Sequence, residues 1–239
     1  PLIKSNNKLN EIKWEDVIAK IKDNINNINN KIVGIASPYH TNEANYVLGK
    51  VFNGMIGCFS PSTEKEITYP SGFRISGDRT PNKRGMHDVC PNIVKDLASE
   101  IKNKKIIAAY ILDSGIDFEL DDIWKAILNK MDLVIVQTYA MTSLAKSADI
   151  IIPGLAPFER DGTITNDQGH VQWLRPSFQA QGDARSDWQI LSLLAKNGDT
   201  YNDISDILKN IGNEFPSYSD ISLFKLGDQG LSLNGSSKT

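Results

Sequence analysis

Apolar side chains recur along this chain in two rhythms. At positions 14–30 they fall on Trp14, Val17, Ile18, Ile21, Ile25 and Ile28, a three-and-four spacing that predicts a helix with one buried face. The Asn-rich run at 26–30 weakens that helix at its end, because Asn side chains compete for neighbouring backbone groups. Ile32-Val33-Gly34-Ile35-Ala36 is instead continuous and partly β-branched, and Ser37-Pro38 stops it, which predicts a strand covered on both faces. Thr41 and Glu43 can open a second helix whose stripe is Tyr46, Val47, Phe52 and Met55.

From 54 to 91 the period is lost. Pro61, Pro70, Pro81 and Pro91 are set among Gly57, Gly72, Gly77 and Gly85, which predicts a long irregular connection. Alternation then resumes: helix 93–101, strand 106–112, helix 120–130, strand 133–137, a short helix through Leu144 and Ala145, and strand 149–153. Short apolar strands alternating with helices predict right-handed crossovers and a doubly wound, mostly parallel α/β sheet with helices on both faces. After Pro153 the segments 162–166 and 170–174 flank Asp167-Gln168-Gly169 and predict an extended hairpin. A helix at 186–195 is expected to bury Trp188, Ile190, Leu191 and Leu194, and a last helix carries Ile204, Ile207, Leu208 and Ile211. The expected organisation is one α/β domain over 1–226, with 54–91 irregular, followed by a flexible polar tail at 227–239.

Composition narrows the function classes. The 239 residues suffice for one large domain or two small ones, and 26 basic against 29 acidic residues leave a net charge of −3. With 40% hydrophobic residues, neither disorder nor a basic nucleic-acid surface is indicated. No apolar run approaches the ~20 residues of a membrane-spanning helix. Two cysteines, Cys58 and Cys90, make neither a disulfide framework nor the four thiolates an iron–sulfur cluster normally takes, and they suit a reducing compartment. The chain opens at Pro1 without a charged and then apolar leader, so no export signal is expected; a removed leader and a longer parent chain both remain open.

Ligands of a parallel sheet bind at the carboxyl ends of its strands, here Ser37-Pro38-Tyr39-His40, Asp113-Ser114-Gly115 and Gln137-Thr138-Tyr139. None holds a Gly-x-Gly-x-x-Gly turn or a phosphate loop ending in Gly-Lys-Ser/Thr, and no Gly-x-Ser-x-Gly nucleophile elbow occurs. His87-Asp88-Val89-Cys90 is a dense group of metal-ligand types without the repeated pairs of a zinc site, and it reads more readily as loop side chains. His40 with Glu43 reads as a general base with its orienter or, more simply, as a helix start. Glu159-Arg160-Asp161 reads as the setting of an acid or, more simply, as a solvated charge run, and His170 as a strand residue.

One set of segments is more particular. Ser147-Ala148-Asp149-Ile150-Ile151-Ile152-Pro153-Gly154 precedes Phe158-Glu159-Arg160-Asp161-Gly162-Thr163-Ile164-Thr165-Asn166, Gly169-His170-Val171-Gln172 and Gly182-Asp183-Ala184-Arg185-Ser186-Asp187-Trp188. In order and spacing these resemble the molybdopterin oxidoreductase superfamily, with its Ala-Asp-(apolar)-Leu-Pro strand, Glu-x-x-Gly-Thr-x-x-Asn-x-x-Gly-Arg-x-Gln segment and Glu-Ala-Arg-x-Asp-Trp helix start. Within it the similarity is nearest the C-terminal domain of the 75 kDa iron–sulfur subunit of respiratory complex I, the NADH:quinone oxidoreductase. Trp14 with its neighbours, Thr41-Asn42-Glu43-Ala44-Asn45-Tyr46 and Arg79-Thr80-Pro81-Asn82-Lys83-Arg84-Gly85 add looser support. His170 departs from the family's usual Arg, so no guanidinium fork stands there.

The resemblance implies a non-catalytic structural domain of the complex I peripheral arm, supporting NADH-to-quinone electron transfer through clusters in neighbouring domains. On that reading it has no catalytic residue, metal or cofactor of its own. Its partners are other arm subunits, above all an iron–sulfur domain, with no nucleic acid and no direct membrane insertion. The expected location is the matrix side of the mitochondrial inner membrane or the cytoplasmic side of a bacterial membrane. The alternative is a molybdopterin guanine dinucleotide-binding oxidoreductase subunit in which Asp113, Thr163, Asn166 and Gln172 hold the cofactor. A free-standing nucleotide-binding module is the third reading.

Overall fold

The structure is a computed structural model that describes residues 1–233 except 7, 29–30, 53–54, 59–64, 78, 95, 118–121 and 196–200. An antiparallel pair, β1 (Leu2–Ser5) and β2 (Lys8–Glu11), leads into α1 (Trp14–Asn27), whose stripe of Trp14, Val17, Ile21 and Ile25 is buried as its spacing predicts. The first strand–helix unit follows, β3 (Ile32–Ala36) and α2 (Asn42–Val51). Then come β4 (Ile56–Cys58), a small hairpin of β5 (Ile67–Thr68) and β6 (Arg74–Ile75), α3 (Lys83–Val89) and α4 (Leu97–Lys102). The alternation continues as β7 (Ala108–Leu112), α5 (Asp122–Leu128), β8 (Leu133–Thr138), α6 (Ser143–Ser147) and β9 (Ile150–Pro153). The hairpin β10 (Gly162–Thr165) and β11 (His170–Leu174) precedes α7 (Asp187–Leu194), α8 (Ile204–Glu214), α9 (Leu223–Leu226) and β12 (Leu231–Ser232).

Seven described strands form the central sheet in the order β2-β1-β9-β8-β7-β3-β4. The five from β9 to β4 are parallel, and the β1–β2 pair adds an antiparallel edge. Side chains alternate across the strands: Ala108, Tyr110 and Leu112 of β7 enter the core shared with α1, α2, α7 and α8, while Ala109 and Ile111 enter the opposite core with α4, α5 and α6. The expected doubly wound α/β sheet is present. Its winding starts at β3, runs outward to β4, then returns to build β7, β8 and β9 on the other side. The strand order therefore reverses between β3 and β7, which opens a crevice at their carboxyl ends.

Two expectations change. The 54–91 connection holds a parallel edge strand, a hairpin and a helix; β4 is three residues long, too short for a sequence period, and its strand character comes from pairing Gly34 to Ile56 and Ala36 to Cys58. The chain from 227 is docked as far as Leu233, since Leu231 pairs with Val171, and His170 Nε2 donates to Gln229 O at 2.8 Å. The β1–β2 pair carries no periodic signal. The expected helix end at 29–30, the helix start at 120–121 and the tail from 234 lie outside the described residues.

Trp188, only 7% exposed, sits in the core where α7 packs on α1 and α2. Trp188→Ala is expected to cost ~3–5 kcal/mol through lost transfer energy and the cavity left behind, measured by urea unfolding followed by circular dichroism.

Candidate functional site

The carboxyl end of β3 turns sharply into α2. Thr41 caps that helix, its Oγ1 accepting from Ala44 N–H at 3.2 Å. Asn45, one turn on, clamps the turn: its Oδ1 accepts from Ser37 N–H at 3.1 Å, and its Nδ2 donates to Ser37 O and Thr41 O. Asn82, just before α3, donates to His40 O at 2.7 Å and accepts from Thr165 N–H at 2.7 Å. Gly85 must be glycine here, because a Cβ would stand 2.0 Å from Asn42 Oδ1 and 2.2 Å from Asn82 Oδ1.

Against this turn lies a buried charge network. Arg160, 4% exposed, donates from Nε to Leu155 O at 2.9 Å and from Nη1 to Tyr39 O at 2.8 Å, with Nε 3.4 Å from Asp187 Oδ2. Asp187 Oδ1 accepts from Gln137 Nε2 at 2.6 Å, and Gln137 Oε1 accepts from the hydroxyl of Tyr110. Arg160 Nη2 also donates to His40 Nε2 at 3.3 Å, which leaves the imidazole proton on Nδ1, a buried atom with no partner among the described residues. Burial and the Arg160 charge hold His40 well below the usual histidine range, so it is neutral at physiological pH. Burial raises Asp187 against the opposing pull of Arg160 and Gln137.

A second clamp joins α2 to the hairpin. Glu43 accepts from Thr163 N–H at 2.8 Å and from the Thr163 hydroxyl at 2.7 Å. Asn42 Nδ2 donates to Thr163 Oγ1 and Thr165 Oγ1, both at 3.0 Å, and the Tyr218 hydroxyl joins Thr165 to Asp88. Glu43 therefore faces Thr163 while His40 faces Arg160, and the pair reads as a helix start, not as a base with its orienter. Glu159-Arg160-Asp161 is not a solvated run: Glu159 Oε2 caps Ala156 N–H, Arg160 is buried, and Asp161 accepts from the Trp173 indole. His87, Asp88 and Val89 lie on α3 with Cys90 at its end, and among the described residues no three His, Cys, Asp or Glu side chains group to hold a metal ion.

The four candidate cofactor residues occupy separate settings. Asp113, at the end of β7, accepts from the Thr142 hydroxyl at 2.8 Å, and burial raises its pKa against the opposing pull of Thr142 and its other polar neighbours. Thr163 is spent on Glu43 and Asn42, and Asn166 Oδ1 accepts from the Gln168 and His170 amides in the hairpin turn. Gln172 is exposed on β11. What the strand ends offer instead is a slot of about 180 Å³ at the carboxyl ends of β8 and β9 beside β1, lined by Leu2, Thr138, Tyr139, Met141, Ile151 and Pro153. The Tyr139 ring packs so closely on Gly115, at φ +70°, that a Cβ there would stand 2.1 Å from it. Tyr139 belongs to one of the strand-end loops where a ligand is expected from the sequence, whereas Met141 carries no motif.

Burial sets a pH dependence at the second clamp. Glu43 is pushed up to about 7 from 4.5, by burial first and despite the Thr163 bonds. The folded chain therefore holds that proton more tightly than the unfolded chain. The contribution of Glu43 to stability is greatest below pH 4.5 and declines by about 3 kcal/mol as pH rises through 7. Urea unfolding of the native sequence and of Glu43→Gln from pH 5 to 8 is expected to show a stability difference that shifts in favour of the variant as pH rises.

Comparison with known proteins agrees with the convergence of these segments. Residues 83–197 match the molybdopterin oxidoreductase family. A formate dehydrogenase alpha subunit of Methanococcus maripaludis is 35% identical over 120 residues, 48% of this chain and 18% of that protein. One from Methanocaldococcus jannaschii is 35% identical over 109 residues, 44% of this chain and 16% of that protein. The chain thus matches less than a fifth of the length of these relatives. Acetylene hydratase of Pelobacter acetylenicus superposes with a TM-score of 0.40 at 17% identity, over 53% of this chain and 19% of that one. These relatives bear the names of formate dehydrogenases, not of the complex I 75 kDa subunit. Over residues 83–197 this chain is similar to the molybdopterin oxidoreductase family.

Proposed function

We propose that this chain is the part of a molybdopterin oxidoreductase that receives the nucleotide end of a molybdopterin guanine dinucleotide. The slot at the carboxyl ends of β8 and β9, the end of a parallel sheet at which ligands bind, carries this reading. At about 180 Å³ it falls below the ~300–1,000 Å³ of a complete small-molecule site, so it suits one ring system of the cofactor. Tyr139 and Met141 offer a ring and a polarisable thioether for the base. Asp113 acts at one remove, accepting from the Thr142 hydroxyl behind the slot. When bound, the cofactor supplies the redox chemistry; this chain's residues orient its base and exclude water from it.

Exposed Ile116 and Met141 lie in or beside the strand-end loops, and Phe158 and Phe178 project next to Arg160 and the 175–183 segment. They suit burial against further domains, an iron–sulfur domain among them. The reading as a structural domain in the NADH:quinone oxidoreductase arm uses the same fold; the formate dehydrogenase names of the relatives favour the cofactor-binding reading.

Guanosine diphosphate at 100 times its dissociation constant is expected to add ~2.7 kcal/mol of stability, read as a rise in Tm, with a smaller rise for the adenine analogue. Met141→Ala, at a 45% exposed position, should weaken the effect without unfolding the chain. Equal shifts for both bases, no shift, or full retention in Met141→Ala would each count against the slot.

A further inference from the structure

A second cavity lies at the opposite end of the parallel sheet from the slot. It is a cleft of about 560 Å³ at the amino end of β4, bordered by α2 and by the ends of α3 and α8. Its walls are largely apolar: Ile56 opens β4, Val89 ends α3, Pro91 follows, and Phe215 follows α8. The rings of Tyr46 and Phe215 meet edge to face, with centroids 6.4 Å apart and planes at 85°. The volume falls within the ~300–1,000 Å³ of small-molecule sites.

The charged lining is one cation and one anion. Lys50, in the last turn of α2, and Glu214, the last residue of α8, meet at 2.5 Å, and their side chains are 37% and 42% exposed. The hydroxyl of the buried Tyr46 donates to the same Glu214 Oε1 at 2.7 Å, and the Lys50 ammonium stands 5.1 Å over the Tyr46 ring. Glu214 Oε2 accepts from no described residue, and Lys50 has two donors beyond the one it gives to Glu214.

An ion pair this exposed contributes little to stability, so its two ends can change partners at small cost. That decides the charge of the ligand. A cation alone would take Glu214 and leave Lys50 unpaired, and an anion alone would do the reverse. A molecule with both charges pairs its ammonium with Glu214 and its carboxylate with Lys50, while its apolar part covers Ile56, Val89, Pro91 and Phe215. We propose that this cleft binds a zwitterion of the free amino-acid class, with a large aromatic or aliphatic side chain. The site is independent of the nucleotide slot, with which it shares no lining residue.

The test is isothermal titration calorimetry of the full chain with L-tryptophan, L-phenylalanine, L-leucine and L-methionine, each beside its decarboxylated amine and its deaminated acid. At least one amino acid is expected to bind, one per chain, with its amine and its acid each about 10-fold weaker or more. Lys50→Met and Glu214→Gln, with circular dichroism confirming the fold, should each weaken binding by a similar factor. Lys209→Met, which removes an exposed charge elsewhere on α8, should leave it unchanged. No binding by any of the four, an amine or acid as tight as its parent, unchanged affinity in either folded variant of the pair, or an equal loss in Lys209→Met would each overturn the site.

Discussion

The ion pair between Arg160 and Asp187 is the constraint on which the strand-end architecture depends. Both side chains are about 5% exposed, so each has given up hydration that their mutual attraction alone does not repay. The balance is restored by neutral partners. Arg160 also donates to Leu155 O and Tyr39 O, and Asp187 accepts from Gln137, which in turn accepts from Tyr110. Each of those bonds reaches a different element: the turn after β3, strands β7 and β8, the segment after β9, and the first turn of α7. The pair therefore specifies where the hairpin and α7 sit on the parallel sheet, and an apolar replacement could fill its volume without fixing that geometry.

The Glu43–Thr163 clamp complements it on the other side of the turn. Together the two networks consume the polar side chains that a motif reading would assign to a ligand. Thr163 and Asn166 have their acceptors occupied by the chain itself, and the slot at the β8–β9 strand ends is lined mainly by apolar side chains, Tyr139 and Met141 among them. A sequence stretch shared with oxidoreductases is thus, in this chain, largely a means of holding a hairpin and a helix against the sheet.

The family match begins at residue 83, yet the residues that receive Arg160, Thr163 and Thr165 include His40, Asn42, Glu43 and Asn82, all before it. The β3–α2 unit and the matched region are therefore physically one structure, with few polar atoms at the junction left unsatisfied; His40 Nδ1 and Asn42 Oδ1 are the exceptions among the described residues. The shared oxidoreductase sequence depends for its placement on a segment outside the match.

Local pattern was enough for the sheet's parallel strands, the stripe of α1, the β10–β11 hairpin and the cap of α2, because each is encoded by near neighbours in a period of two or of three to four. It also supplied the family resemblance, since order and spacing survive in a linear reading. It did not reveal β4, the β1–β2 edge or the docking of Leu231, whose strand character is conferred by a ladder partner distant in the chain. Nor did it reveal that Arg160 is buried or that Tyr139 and Met141 border a slot. Charge burial and pocket shape are sums over contacts more than a hundred residues apart, and only the folded chain brings those contacts together.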